Sequence, residues 1–169
     1  MIAVAMAPSA FRSFDLFAGP SGGASADAEN IDRIYVGIFD RIAKSATGSQ
    51  RFVYPLDTIE DIYRRCRLTN WDGSGAVAIS NESAFDAKSI FLSLPSHYSV
   101  PEIFAEATGA IAFEWYRRPG YRFILTMFGN GSMEYAGLFG PGNEAYGRVR
   151  LADGLPKIIQ DHLRTLYAA

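Results

Sequence analysis

Residues Ala110–Gly140 read AIAFEWYRRPGYRFILTMFGNGSMEYAGLFG. Three apolar or aromatic runs of strand length are separated by RRPG and GNGS, two strong turn signals, so the stretch predicts three consecutive antiparallel strands. With Asn130-Gly131 as a two-residue turn, Phe128 faces Met133, Thr126 faces Tyr135 and Ile124 faces Gly137. A turn at Pro119-Gly120 then places Phe113 and Trp115 on the same side as Arg122 and Ile124. The opposite side receives Glu114, Tyr116, Tyr121, Phe123, Leu125, Met127 and Glu134. Neither side is polar enough to be left in water, so helices are expected on one face and further cover over much of the other.

Outward from this meander the elements become helical. After it, Tyr146–Leu151 predicts a last strand with Tyr146, Arg148 and Arg150 on one side. Leu155-Pro156 then opens a C-terminal helix whose stripe is Leu155, Ile158, Ile159, Leu163 and Leu166. Before it, Glu102–Glu106 suits a short strand, and Ser80 or Asn81 caps a helix running to about Leu94. Asp57 or Thr58 caps an earlier helix carrying Ile59, Ile62, Tyr63 and Cys66, and Arg51–Tyr54 reads as an extended segment before Pro55. Ile31, Ile34, Tyr35, Ile38, Phe39 and Ile42 have the spacing of one helical face. The fold class is therefore α+β: an antiparallel meander of three to five strands packed against N-terminal helices and one C-terminal helix.

Three segments divide the chain: an apolar N-terminal arm (1–18), a flexible small-residue linker (19–29) and a single α+β domain (30–169). Phe11, Phe14 and Phe17 give the arm more apolar surface than a free tail needs, which marks it as a contact element.

With 169 residues, a formal net charge of -2 and 49% hydrophobic residues, the chain suits one sizeable core. The near-neutral balance lacks the basic footprint of a nucleic-acid binder, despite aromatics interleaved with Arg117, Arg118 and Arg122. A lone Cys66 leaves no intramolecular disulfide and fits a reducing, cytoplasmic setting; no basic n-region or membrane-length apolar run is present. The fingerprints of serine hydrolases, P-loops, zincins and dinucleotide folds are missing. His97, His162 and Cys66 are too few and too scattered in sequence for a metal site, and no cofactor is expected.

Two carboxylates carry alternative readings. Asp72 in the NWDGSGA loop (70–76) either accepts backbone amides of its own turn or lies exposed beside a recess. Glu114, mid-strand among apolar neighbours, needs an ion-pair partner such as Arg117, Arg118, Arg148 or Arg150, or else touches a ligand or partner. Gly137 either admits a packed aromatic or leaves a slot.

NWDGSGA, AIAFEWY and MEYAGLFG together resemble a group of uncharacterised bacterial proteins that share an N-W-D-G-x-G-A loop, an E-W strand and a Y-x-G-x-F strand. The resemblance covers Asn70–Leu166 and implies a common fold with Trp71, Asp72, Gly73, Glu114, Trp115 and Tyr135 as shared features. It implies no activity. The sequence thus points first to a protein-interaction module, self-associating or part of a bacterial complex. Its contact candidates are Trp71, Asp72, Glu114, Trp115, Tyr135 and Arg122. The rival is a small-ligand binder or hydrolase-like enzyme using Asp72 and Glu114 near a recess at Gly137.

Overall fold

A computed structural model describes residues 50–151 and 154–168, all within the unit spanning Thr47–Ala169. The arm with Phe11, Phe14 and Phe17, the linker and the helical pattern beginning at Ile31 lie outside the described residues. In chain order the elements are α1 (Gln50–Cys66), α2 (Asn81–Ser93), β1 (Glu102–Ala105), β2 (Ile111–Arg118), β3 (Tyr121–Met127), β4 (Ser132–Phe139), β5 (Glu144–Arg150) and α3 (Lys157–Ala168). The strands form one antiparallel sheet in the order β1-β2-β3-β4-β5, giving the expected α+β fold.

The pairing differs from the expected one by a single residue, with large consequences. Phe113 pairs with Leu125, Trp115 with Phe123, Met127 with Met133, and Phe123 with Gly137. Two local features cause this. Arg118 pairs with Tyr121 across Pro119-Gly120, but the register shifts between Tyr116 and Arg118, so Arg117 is a bulge residue. The β3–β4 connection uses all of Phe128–Gly131, with positive φ at Gly129 and Gly131, instead of a two-residue Asn130-Gly131 turn. Because side chains alternate with period two, each one-residue change exchanges the faces of β3. Phe123, Leu125 and Met127 therefore join Ile111, Phe113, Trp115, Met133 and Phe139 in the core, while Arg122, Ile124 and Thr126 turn to the other side.

Apart from Arg118 opposite Tyr121 beyond the bulge, odd-numbered residues face odd and even-numbered face even in all four pairings, so the odd side is one continuous apolar surface from Ile103 to Val149. The helices cover it. α2 lies against β2 and β3, α3 against β3 and β4, and α1 against α2 and β1. Trp115 meets Phe113 edge to face and Phe123 at a tilt, and all three are essentially sealed from solvent. Each such ring contributes about 2–3 kcal/mol by burial.

α1 starts earlier than the sequence suggests. Arg51–Tyr54 is helical, and Pro55 sits inside the helix on its buried side with Ile59, Ile62 and Cys66. One missing N–H near the helix start costs a single intrahelical bond, and the apolar stripe outweighs it. Thr58 is not a cap: its hydroxyl donates to the Tyr54 carbonyl at 2.8 Å, as helix-interior threonines do. The Arg51 guanidinium ties this end to the carbonyls of Pro95 (3.2 Å) and Ser96. In α3, Ile158 lies off the buried stripe and is exposed. α2 is capped by Ser80, whose hydroxyl accepts the Ser83 amide at 3.0 Å.

Lys88 on α2 and Glu60 on α1 form an ion pair at 2.6 Å whose lysine side chain is only 8% exposed. Removing one partner leaves a charge in a nearly dry site. Glu60→Ala is expected to lower unfolding free energy by about 3 kcal/mol, whereas Glu60→Leu combined with Lys88→Met recovers most of it; urea titration checks both.

The Phe128–Gly131 connection presses on the start of α2. A Cβ at Gly129 would lie 2.4 Å from the Ser83 amide nitrogen, whereas one at Gly131 would meet open space. Gly129→Ala should therefore cost about 2–4 kcal/mol, and Gly131→Ala, which suffers only from its positive φ, about 1 kcal/mol. Equal losses in chemical denaturation would contradict this packing.

Candidate functional site

The loop with Asp72 is built from its own backbone. Asn70 takes φ of 63°, its amide donates to the Ala76 carbonyl at 2.7 Å, and its side-chain oxygen accepts the Gly75 amide at 2.8 Å. Asp72 Oδ1 accepts the amides of Ser74 (2.8 Å) and Ala76 (3.0 Å). These two donors favour the ionised form and hold the carboxyl below its ordinary pKa. Trp71 is half-buried against the core, its indole N–H donating to the Val77 carbonyl at 2.9 Å. Trp71 and Asp72 both close the loop on itself, which matches the structural alternative for Asp72.

Glu114 projects from the opposite face. Its partner is Arg122, with Nε 2.8 Å from Oε1, an arginine that the shifted register brings to this side in place of the expected Arg117, Arg118, Arg148 or Arg150. Arg117 turns instead to the helix side, over the Tyr167 ring at 4.8 Å. Asp72 and Glu114 thus each have their own partners, and neither is a partner of the other.

Gly137 lines one shallow hollow on the outer sheet face, but on its helix side no slot remains. A Cβ there would lie 2.4 Å from Phe139 Cζ and 3.0 Å from Phe123. His162 of α3 stacks on Phe139 (5.5 Å, 15°) and sits 5.0 Å from Tyr135 and 5.7 Å from Phe123. Burial among these rings lowers the imidazole pKa. Tyr135 is half-buried here, and Trp115 is a core residue whose indole N–H donates to the Ser99 carbonyl at 3.0 Å.

The outer sheet face is the remaining surface with character. Its even-numbered residues include exposed Tyr116 (55%), Leu138 (41%) and Tyr146 (86%), and a half-buried Ile124 beside exposed Ala136. Two shallow hollows meet at Ile124, Ala136 and Tyr146. One is bordered by Arg122, Leu138 and Glu144; the other, about 610 Å³, by Glu106, Thr108, Thr126, Phe128 and Glu134. Most of the polar border is internally paired. Thr126 and Thr108 hydroxyls donate to the two oxygens of Glu106 at 3.1 and 3.2 Å, and Arg148 Nε donates to Glu134 at 3.0 Å. Arg122 lies 5.6 Å over the Tyr116 ring. Glu106, Thr126, Glu134 and Ala136 were not singled out from sequence, because their convergence depends on the register; the alternation of Tyr146, Arg148 and Arg150 was the visible part of this face.

Among the described residues no group of three or more His, Cys, Asp or Glu side chains is placed to hold a metal, and no helix is long and apolar enough to cross a membrane. No protein-family model, curated protein or solved structure shows significant similarity to the chain.

The two amides on Asp72 make a pH prediction. A carboxyl whose pKa is depressed on folding stabilises the fold above its unfolded pKa of about 3.9, and that contribution disappears as pH falls through the lower folded value. The melting-temperature advantage of the wild type over Asp72→Ala should be constant from pH 7 to about pH 5 and shrink below pH 4.

Proposed function

We propose that this chain is a protein-interaction module that presents the outer face of its sheet to another protein chain. The observation that carries this reading is the asymmetry of the sheet. Among the described residues one face is covered by three helices, while the other leaves Tyr116, Leu138 and Tyr146 in solvent around an apolar floor of Ile124 and Ala136. Exposed tyrosines and an aliphatic floor with a paired polar border form the composition of a protein contact: an apolar centre and a polar rim. The ion pairs Glu114–Arg122 and Glu134–Arg148 hold the rim side chains in place, so little side-chain entropy is left to lose on binding.

The geometry offers less to a small-ligand binder or a hydrolase-like enzyme. Asp72 is held by amides, Glu114 by an arginine, and Gly137 is packed by Phe139 on the helix side and lines only a shallow, open hollow on the other. Neither carboxylate is poised as a free acid or base beside an enclosed recess.

Replacing Ala136 by a photo-crosslinking benzophenone residue tests the reading in the cells that produce the protein. A discrete adduct with a second polypeptide is expected at Ala136, at least about five-fold above that from the same probe at exposed Arg164 on α3, since contact-limited crosslinking needs a seated partner. Equal yields at the two positions would overturn it.

A further inference from the structure

Among the described residues the sheet ends in an unpaired edge whose side chains are complementary to themselves. β5 pairs only with β4 among the described residues, and its seven residues contain no proline and no bulge; the edge charges it does carry, Glu144, Arg148 and Arg150, are of both signs. The other edge, β1, has four residues, and the Ala107 carbonyl just beyond it already accepts the Val77 amide at 2.8 Å.

The direction of the β5 backbone groups follows from two hydrogen bonds. Asn143 accepts the Phe139 amide at 2.8 Å, and the Leu151 amide donates to Gly131 at 2.9 Å. Odd-numbered residues of β5 thus point their N–H and C=O groups at β4, and Glu144, Tyr146, Arg148 and Arg150 point theirs away from the sheet. The side chains of these four stand on the outer face, all exposed.

We propose that β5 pairs antiparallel with β5 of a second copy of this chain, about a two-fold axis through Gly147, to give a continuous ten-stranded sheet. This rests on the reading of the chain as an interaction module but uses the strand edge instead of the sheet face. In this register Glu144 lies opposite Arg150 of the other copy and Tyr146 opposite Arg148, each pairing occurring twice by symmetry. Both are hydrogen-bonded positions, so all four outward N–H and C=O sets are satisfied. Opposite charges and an arginine beside an aromatic ring are favourable cross-strand pairs. Gly147 faces its own counterpart at the axis. Each Tyr135 hydroxyl, 2.7 Å from where a Gly147 Cβ would stand, approaches the same axis from the helix side.

The neighbouring registers that also match hydrogen-bonding groups are worse. A shift of two residues one way sets Arg148 against Arg148; the other way leaves Arg150 facing Gly142, beyond the strand. A surface of one charge sign would repel a second copy, but here the signs are arranged to meet. Glu144 and Arg150 make no ion pair among the described residues, which leaves both for such a partner.

The test is light scattering of the full chain over a concentration series. The wild type should approach twice the chain mass. Glu144→Arg and Arg150→Glu, each setting like charges opposite one another twice, should weaken association about ten-fold, and the two together should restore it. Tyr146→Pro removes an outward N–H without touching the β4 ladder and should give a monomer with unchanged far-UV circular dichroism. A wild type monomeric throughout, single reversals without effect, or no recovery in the double variant would overturn the self-pairing. A monomer that still forms the Ala136 adduct with a different polypeptide would do so while leaving the interaction reading intact.

Discussion

The structure depends on keeping odd-numbered residues together across five strands. That parity is a packing requirement before it is a pattern. Phe113, Trp115, Phe123, Leu125, Met127 and Met133 must all leave water on the same side, and any single-residue slip in β3 would send half of them to the other. The bulge at Arg117 and the four-residue connection Phe128–Gly131 are the local adjustments that satisfy it. Each also receives a contact from a helix: Arg117 lies over Tyr167 of α3, and Gly129 abuts the first turn of α2.

The same constraint shapes the outer face. Once the large aromatics are committed inward, the even-numbered residues include Glu114, Tyr116, Arg122, Ile124, Thr126, Glu134, Ala136, Leu138, Glu144, Tyr146, Arg148 and Arg150, a mixture suited to partial exposure. Cross-strand neighbours on this face pair as ions or hydroxyl–carboxylate contacts, which hold their shape without burying the whole face. The proposed contacts of the chain, on the face and along β5, are products of the register that builds the core.

The loop and helix ends show a second economy of means. Asp72, Asn70 and Ser80 each spend their polar atoms on backbone amides close in sequence, so the turn before α2 and the start of α2 are fixed locally. Lys88–Glu60 is the longer-range counterpart, a nearly buried pair that sets how α1 lies on α2. His162 is accommodated differently, among Phe123, Tyr135 and Phe139, where burial disfavours its charged form, in space that Gly137 leaves open for the Phe139 ring.

The fold class, the strand positions, the Ser80 cap, the C-terminal helix and the backbone-bound role available to Asp72 were legible in the sequence, because each follows from local periodicity or turn chemistry. What the sequence could not decide was register. RRPG and GNGS are compatible with more than one loop length, and both faces of β3 are apolar enough to be core, so local pattern leaves Phe123 and Ile124 equivalent. Only packing against α2 and α3 separates them. It sends Arg122 to Glu114 and fills the space beside Gly137 with Phe139. Pro55 inside α1 has the same origin: propensity places a break there, and burial of the Pro55, Ile59, Ile62 and Cys66 stripe overrides it. Local chemistry determined which elements exist; long-range burial decided which of their faces meet, because apolar area removed from water is counted over the whole sheet and not turn by turn.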